Sequence, residues 1–402
     1  MARARVSMQE LIRRRGRAGF VGRRDELRVF RENFELPPDD ERHRFLFHVH
    51  GPAGVGKSSL VREMAQLARD RGALVAVVDE GATDVPEVLD EMVAQFAQQG
   101  RALKNLERAL TTYRRRGHEA LAAAARETGP EPDAPSAGSV AAARAGVVGL
   151  GMVPVVGALA GVVDPVGIAR GTERARTALA ARFRSQEDAR LVLQPERVLT
   201  PVLLDELTAA ADTAPWIVLF FDTYERTSPY LDRWLHEVMT TERHGELPAE
   251  TVVVTAGQRP LDQTRWGSAA DFARELALAP FTEPEARGLL AARGVTDEPV
   301  VAEVLRLSGR LPVLVTTLAR GGPTGPDDVG DPSATAVERF LKWEQDPVRR
   351  AAALDCALPR NLDEDTVRAG PPGGAAARLK GRLRPQPIVV AHGGGRAPEQ
   401  QD

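Results

Sequence analysis

Residues 44–60, RFLFHVHGPAGVGKSSL, read as an apolar β-strand that runs into a glycine-rich loop and then into a helix. Within it Gly51, Gly56, Lys57 and Ser58 stand at the G-x-x-x-x-G-K-[ST] spacing. Glycines let successive backbone N–H groups turn toward one point. The helix N-terminus adds partial positive charge, and the lysine reaches the outer phosphates of a bound polyphosphate. Pro52, Ala53, Gly54 and Val55 complete the arc, Ser59 follows in the first helical turn, and the Ser58 hydroxyl is placed for Mg²⁺. The segment therefore implies a nucleoside triphosphate as ligand.

Lysine usage sharpens that reading. Of 53 basic residues only four are lysines, at positions 57, 104, 342 and 380. A lysine where a compact, flexible ammonium suits phosphate, in a chain that otherwise relies on arginine, is chemically selected. The bulk composition, 43% hydrophobic and 27% charged in 402 residues with a net charge of −3, is that of a globular chain with room for two or three domains. It gives no global drive toward nucleic acid. The start of the chain differs: residues 1–24 carry eight arginines against one glutamate, a local charge of +7. That charge suits a solvated basic arm, or one that meets nucleic acid or an acidic partner. Cys356 is the single cysteine, which excludes an intramolecular disulfide and a thiolate metal cluster and fits a reducing cytoplasm; no apolar signal segment follows Arg13 to Arg15.

After the loop, residues 58–70 carry apolar side chains at helical spacing, Gly72 breaks them, and residues 73–78 (ALVAVV) read as a buried strand. Residues 84–100 form a helix with Val85, Val88, Leu89, Met92, Val93 and Phe96 on one face. A polar helical stretch runs from 101 to about 127, then a Pro/Ala/Gly/Ser linker near 129–138. Residues 145–163 follow, nineteen residues without a charge. Their length would cross a bilayer, but one crossing there would separate the phosphate loop from the aspartate expected to share its Mg²⁺. A buried or regulatory insertion, with weak membrane contact as the rival, is the better expectation. Further on, 200–213 reads as a helix with Pro201 in its first turn, 216–221 (WIVLFF) as an apolar strand, 230–239 as a helix and 251–255 (TVVVT) as another strand. Continuous apolar strands separated by helices predict an α/β fold with a parallel sheet covered on both faces. Beyond Pro280 only helices are expected, at 283–293, 299–308 and 312–319, then 334–344 and 347–358; after Ala369 the composition predicts a disordered tail.

Asp222 ends the WIVLFF strand, the place where a parallel sheet presents ligand-binding side chains, and is the second expected Mg²⁺ anchor beside Ser58. Glu225 lies three residues on. It reads either as the carboxylate that orients or deprotonates the attacking water, or as a loop carboxylate paired with Arg226. Arg259 follows the TVVVT strand and reads either as a sensor of the γ-phosphate or as one more surface arginine. His48 and His50 share a strand face, but no carboxylate or cysteine partner is visible beside them, so a metal site is not expected. No G-x-S-x-G elbow occurs.

With these residues placed, the chain resembles the STAND class of signalling NTPases and the similar origin-recognition-type AAA ATPases, over about residues 18–320. The marks are FVGRRDEL (20–27), GPAGVGKSS, LFFDTYE (219–225), VVVTAGQR (252–259) and LSGRLPVLV (307–315). The resemblance implies ATP rather than GTP, with Val21, Gly22 and Arg23 near the adenine and Pro312, in a helical lid, near the nucleotide. Thr223 stands where many such ATPases carry the catalytic glutamate. ALPRNLDEDTVRA (357–369) resembles the opening of a winged-helix domain of which no more follows, so a chain truncated in or after that region is expected.

The domain plan is a basic arm at 1–19, a phosphate-loop NTPase core from 20–100 and 191–277, an insertion at 101–190, a helical lid at 278–320, a linker at 321–333, a partial winged-helix region at 334–369 and a tail at 370–402. The leading functional expectation is a cytoplasmic ATP·Mg²⁺-dependent switch with an unidentified protein partner and a possible oligomeric state. Two rivals stand beside it: a DNA-associated ATPase or regulator, and a module that binds nucleotide without turnover.

Overall fold

A computed structural model describes residues 20–127 and 185–330, together with Met8; of 121–127 it gives the helical backbone alone. The expectations for the basic arm, the apolar segment 145–163, Cys356, the winged-helix opening and the tail lie outside these residues.

Continuous apolar runs form the strands. In chain order the elements are α1 (Arg24–Asn33), β1 (Leu46–His50), α2 (Lys57–Asp70), β2 (Leu74–Val78), α3 (Val85–Gln98), α4 (Lys104–Glu127), α5 (Gln186–Leu193), α6 (Pro195–Ala211), β3 (Ile217–Phe221), α7 (Tyr224–Thr240), β4 (Thr251–Gly257), α8 (Gln263–Trp266) and β5 (Ala273–Ala277). Three helices close the described part: α9 (Glu283–Ala291), α10 (Glu298–Ser308) and α11 (Pro312–Ala319). The five strands make one sheet in the order β2-β3-β4-β1-β5, every pair parallel.

Period-two alternation divides each strand between two apolar clusters. Val218 and Phe220 of β3 join Phe30, Phe47, Leu60 and Met64 under α1 and α2. Ile217, Leu219 and Phe221 join Leu89, Leu203, Leu207 and Leu231 under α3, α6 and α7. Burial on both faces is why these strands read as unbroken apolar runs. The polar-looking stretch after residue 101 belongs to the second cluster, since Leu103, Leu106 and Leu110 are buried within it. The β2 edge is closed by side chains. Gln95 and Gln99, four apart on α3, each accept from and donate to the outward backbone, Gln95 at Val77 (2.9 and 2.7 Å) and Gln99 at Val75 (3.0 and 2.7 Å). Two carboxamides thus stand in for a further strand and block edge pairing.

Three expectations change. The helix expected from residue 200 starts at Pro195, so Pro201 lies inside it; Pro195 at N1 and Glu196 in the first turn set the earlier start, and burial of Leu199, Leu203, Leu204 and Leu207 holds the helix through the proline. The helix expected from 230 starts at Tyr224, directly after the sheet. Strand β5 was not expected. Arg274 and Glu275 hide it, because as an edge strand it leaves most of its side chains in solvent.

Helices α9 to α11 form a small lid with an apolar cluster of their own, built on Leu290, Val300, Val304 and Val315. Thr282 opens it with a capping box closed by Glu285. No described helix is long and apolar enough to cross a membrane.

Candidate nucleotide site

The loop between β1 and α2 has engaged four of its carbonyls and left four of its amides free. Lys57 Nζ donates to Gly51 O (2.8 Å) and Pro52 O (3.1 Å), the Val313 amide donates to Gly54 O (3.1 Å), and Arg23 Nη2 donates to Val55 O (3.1 Å). The amides of Gly54, Gly56, Lys57 and Ser58 donate to no protein acceptor among the described residues. Gly54 and Gly56 hold φ of 77° and 100°, left-handed values open to glycine, which turns consecutive N–H groups to one side. A Cβ on Gly54 would also overlap the Val313 side chain of the lid. Free amides at the start of a fourteen-residue helix are an anion cradle. Burial pushes Lys57 below the ordinary lysine range, opposed by the nearby charges of Glu225 and then Asp222, so both carboxylates act on its ammonium.

Arg23 ties this loop to the lid. It is 7% exposed and sits at φ 56°, which turns its guanidinium under the loop while its backbone faces α9. Nη2 donates to Val55 O and also to Ala279 O, on the segment that leads from β5 to the lid. The same residue's N–H donates to Glu285 Oε1 (3.1 Å), and its guanidinium lies over the Phe281 ring at 5.5 Å. Gly22 lets the chain pass, since a Cβ there would overlap the Glu285 carboxylate. Val21 packs on the lid cluster. Pro312 is buried at the first position of α11, whose next amide is the one bonded to Gly54 O.

Sheet order places β4 between β1 and β3, so the ends of all three strands open beside the loop. Asp222 continues β3 and accepts from the Thr223 amide (2.9 Å). Thr223 is left-handed at φ 53°, which lets α7 begin at once and puts Glu225 in its first turn. Glu225 Oε1 accepts from Gln258 Nε2 (2.9 Å), while its Oε2 is buried with no hydrogen-bond partner. A buried carboxylate oxygen without a donor is costly unless a ligand satisfies it. The exposed Arg259 side chain makes no hydrogen bond or ion pair among the described residues; its backbone carbonyl accepts from His48 Nε2 (2.8 Å). The absence of a carboxylate beside the histidines is corrected: Glu275 of the unexpected strand β5 lies 3.2 Å from His50. No group of potential metal ligands of three or more histidine, cysteine or carboxylate side chains occurs among the described residues.

The free amides, the exposed Ser58 hydroxyl, the Asp222 carboxylate and the unpaired Glu225 oxygen fit a polyphosphate with a divalent cation. Lys57, Asp222 and Glu225 share one electrostatic neighbourhood; the Arg259 guanidinium is bonded to none of them. Sequence reasoning missed Gln258, Glu285 and Val313. The polar residue directly after β4 was the one visible signal for Gln258, while the other two act through contacts that no motif records.

Comparison with protein families matches residues 19–238, more than half of the chain, to the AAA ATPase domain. Comparison with curated proteins gives no match. Among solved structures, similarity extends to a Walker-type ATPase of Pyrococcus abyssi (13% identity, 96% of this chain and 92% of that one, TM-score 0.48). It also extends to Cdc6p from Pyrobaculum aerophilum (10%, 91% and 87%, 0.39) and to Drosophila ORC bound to DNA (12%, 88% and 78%, 0.36). A parallel five-stranded sheet, a glycine loop with free amides and this family match agree: the chain belongs to the AAA ATPase domain family, whose fold binds nucleotide.

Proposed function

We propose that the protein is an ATP-dependent regulatory switch of the STAND type, in which the occupancy of the phosphate loop sets the position of the lid. The observation that carries the proposal is the direct bonding of lid to loop. Val313 donates to Gly54 O, and Arg23 holds Val55 O and Ala279 O with its side chain while its N–H holds Glu285. The Val55–Gly56 peptide offers its free amide to phosphate and its carbonyl to Arg23, and the adjoining Gly54 carbonyl holds the Val313 amide of the lid, so phosphate binding acts within one short run of chain that also holds the lid.

In this reading Lys57 leaves the Gly51 and Pro52 carbonyls for the phosphates. The amides of Gly54, Gly56, Lys57 and Ser58 hold phosphate oxygens, with Pro52, Ala53, Val55 and Ser59 shaping the arc around them. Val21, Gly22 and Arg23 border the base, and Pro312 fixes the start of the lid helix beside the loop. Ser58 and Asp222 would hold Mg²⁺, which when bound neutralises charge on the outer phosphates. Glu225 takes the proton of the attacking water on the oxygen that Gln258 leaves free, and Arg259 reads the γ-phosphate from the end of β4. ATP in preference to GTP rests on the resemblance. The domain plan given above and an unidentified protein partner complete the proposal.

The test is nucleotide content and turnover of purified protein with and without Glu225→Gln. The reading expects turnover to fall about a hundredfold or more while ATP stays bound. Unchanged turnover removes Glu225 from the mechanism. Absence of turnover in the unaltered protein, with nucleotide bound, leaves a binding module. The DNA-associated rival rests on the +7 charge of residues 1–24. It requires duplex binding that weakens steeply with salt, and undetectable binding at low salt removes it.

A further inference from the structure

Glu225 is held by one side chain, Gln258, on a turn that follows β4 and has no regular structure of its own. The turn is fixed from strand β1. His48 lies directly opposite Thr255 in the β1–β4 register, and its ring reaches past Thr255 to the carbonyl of Arg259. A carbonyl only accepts, so Nε2 carries the hydrogen. Nδ1 of the neutral ring then accepts the Thr255 hydroxyl hydrogen at 2.7 Å. The ring is 2% exposed and stacks on His50 at 5.7 Å. Burial pushes its pKa below the ordinary histidine range, which keeps the ring in the neutral form that these two bonds need.

We propose that His48 is a positioning residue for the site: through the Arg259 carbonyl it sets the turn that carries Gln258, and through Gln258 it orients the Glu225 carboxylate. This rests on the reading of Glu225 as the group that receives the water proton. Gln258 occupies Oε1, so the proton-accepting oxygen is the unpaired Oε2. If the Arg259 carbonyl is released, Gln258 gains freedom and the carboxylate rotates between orientations, of which one serves the reaction.

Two isosteric substitutions separate the two ring nitrogens. His48→Gln places an amide N–H near the Nε2 position and keeps the bond to Arg259, whereas His48→Asn keeps an acceptor near Nδ1 for Thr255 and loses Arg259. The expected result is a fall in kcat of roughly ten- to a hundredfold in His48→Asn. KM and nucleotide affinity should change by no more than about twofold, since the phosphate loop is untouched, and His48→Gln should retain most of the turnover. Hydrogen exchange over residues 256–262 should speed up in His48→Asn and stay slow in His48→Gln, a readout that needs no turnover. Gln258→Ala, a half-buried change that spares the core, should lose as much kcat as His48→Asn, and the double variant no more than either.

Full turnover in Gln258→Ala, equal loss in the two His48 variants, a rise in kcat, or unchanged exchange in His48→Asn each overturns the proposal. If the unaltered protein turns over no nucleotide while the exchange contrast appears, His48 still sets the turn and the catalytic reading of Glu225 is what fails.

Discussion

The sheet and the lid meet at the same site but are held in different ways. Each face of the sheet carries a large apolar cluster, one with Phe30, Phe47 and Phe220 and the other with Phe96, Leu207 and Phe221, all buried. The lid has a smaller cluster of its own on Leu290, Val304 and Val315, separate from both. Its fastening to the sheet is largely polar: Arg23, the Glu285 carboxylate and the Val313 amide on Gly54. Apolar burial is lost only with the fold, whereas hydrogen bonds exchange with water or with a ligand at a net cost of about 1 kcal/mol each. In the proposed switch the sheet is the fixed frame and the lid the part that a ligand moves.

Four changes put this contrast at risk, in falling order of effect. Phe220→Ala removes a fully buried ring from the cluster between the sheet and helices α1 and α2 and should cost about 3–5 kcal/mol of global stability, read by denaturant unfolding. A cost below about 1 kcal/mol would mean that the sheet is not the rigid partner. Lys57→Ala should lower turnover by about a hundredfold or more with little loss of unfolding stability, because the ammonium bonds only loop carbonyls beside free amides.

Arg23→Met leaves the Val55 and Ala279 carbonyls without their donor, a cost of about 1–3 kcal/mol for each that stays dry. The loss should appear as faster hydrogen exchange in α9 to α11 while β1, β3 and β4 stay protected. Equal loosening of lid and sheet would erase the distinction between them.

The smallest effect is a pH dependence at Glu285. Burial alone would raise its pKa, but hydrogen bonds from the Thr282 amide and hydroxyl and from the Arg23 amide, with the Arg23 charge, bring it below the ordinary glutamate range. A depressed folded pKa contributes stability that is present above the unfolded value and lost as pH falls through the folded one. Lid exchange should therefore quicken as the medium is acidified below the ordinary glutamate range, and Glu285→Gln should flatten that dependence.

Much of the frame was legible because burial on both faces writes itself as apolar runs: LFHVH, LVAVV, IVLFF and TVVVTAG all became strands. ARELA did not announce itself, since an edge strand need not be apolar on its open side. Pro201 misled because local propensity places proline in a first turn, and tertiary burial of the leucines around it won instead. In the site, the glycine loop was readable from spacing alone. The joint was not: Arg23 reaches carbonyls 32 and 256 residues away, and Gln258 meets Glu225 across 33 residues, contacts that only the folded sheet creates.

The most direct test of the coupling between loop and lid is hydrogen exchange at the Val313 amide and along α11, with and without ATP·Mg²⁺, in the unaltered protein and in Lys57→Ala. The account predicts that nucleotide changes exchange in the lid of the unaltered protein and leaves β3 and β4 as they were, and that in Lys57→Ala it changes exchange in neither region. Bound nucleotide with an unchanged lid would contradict it.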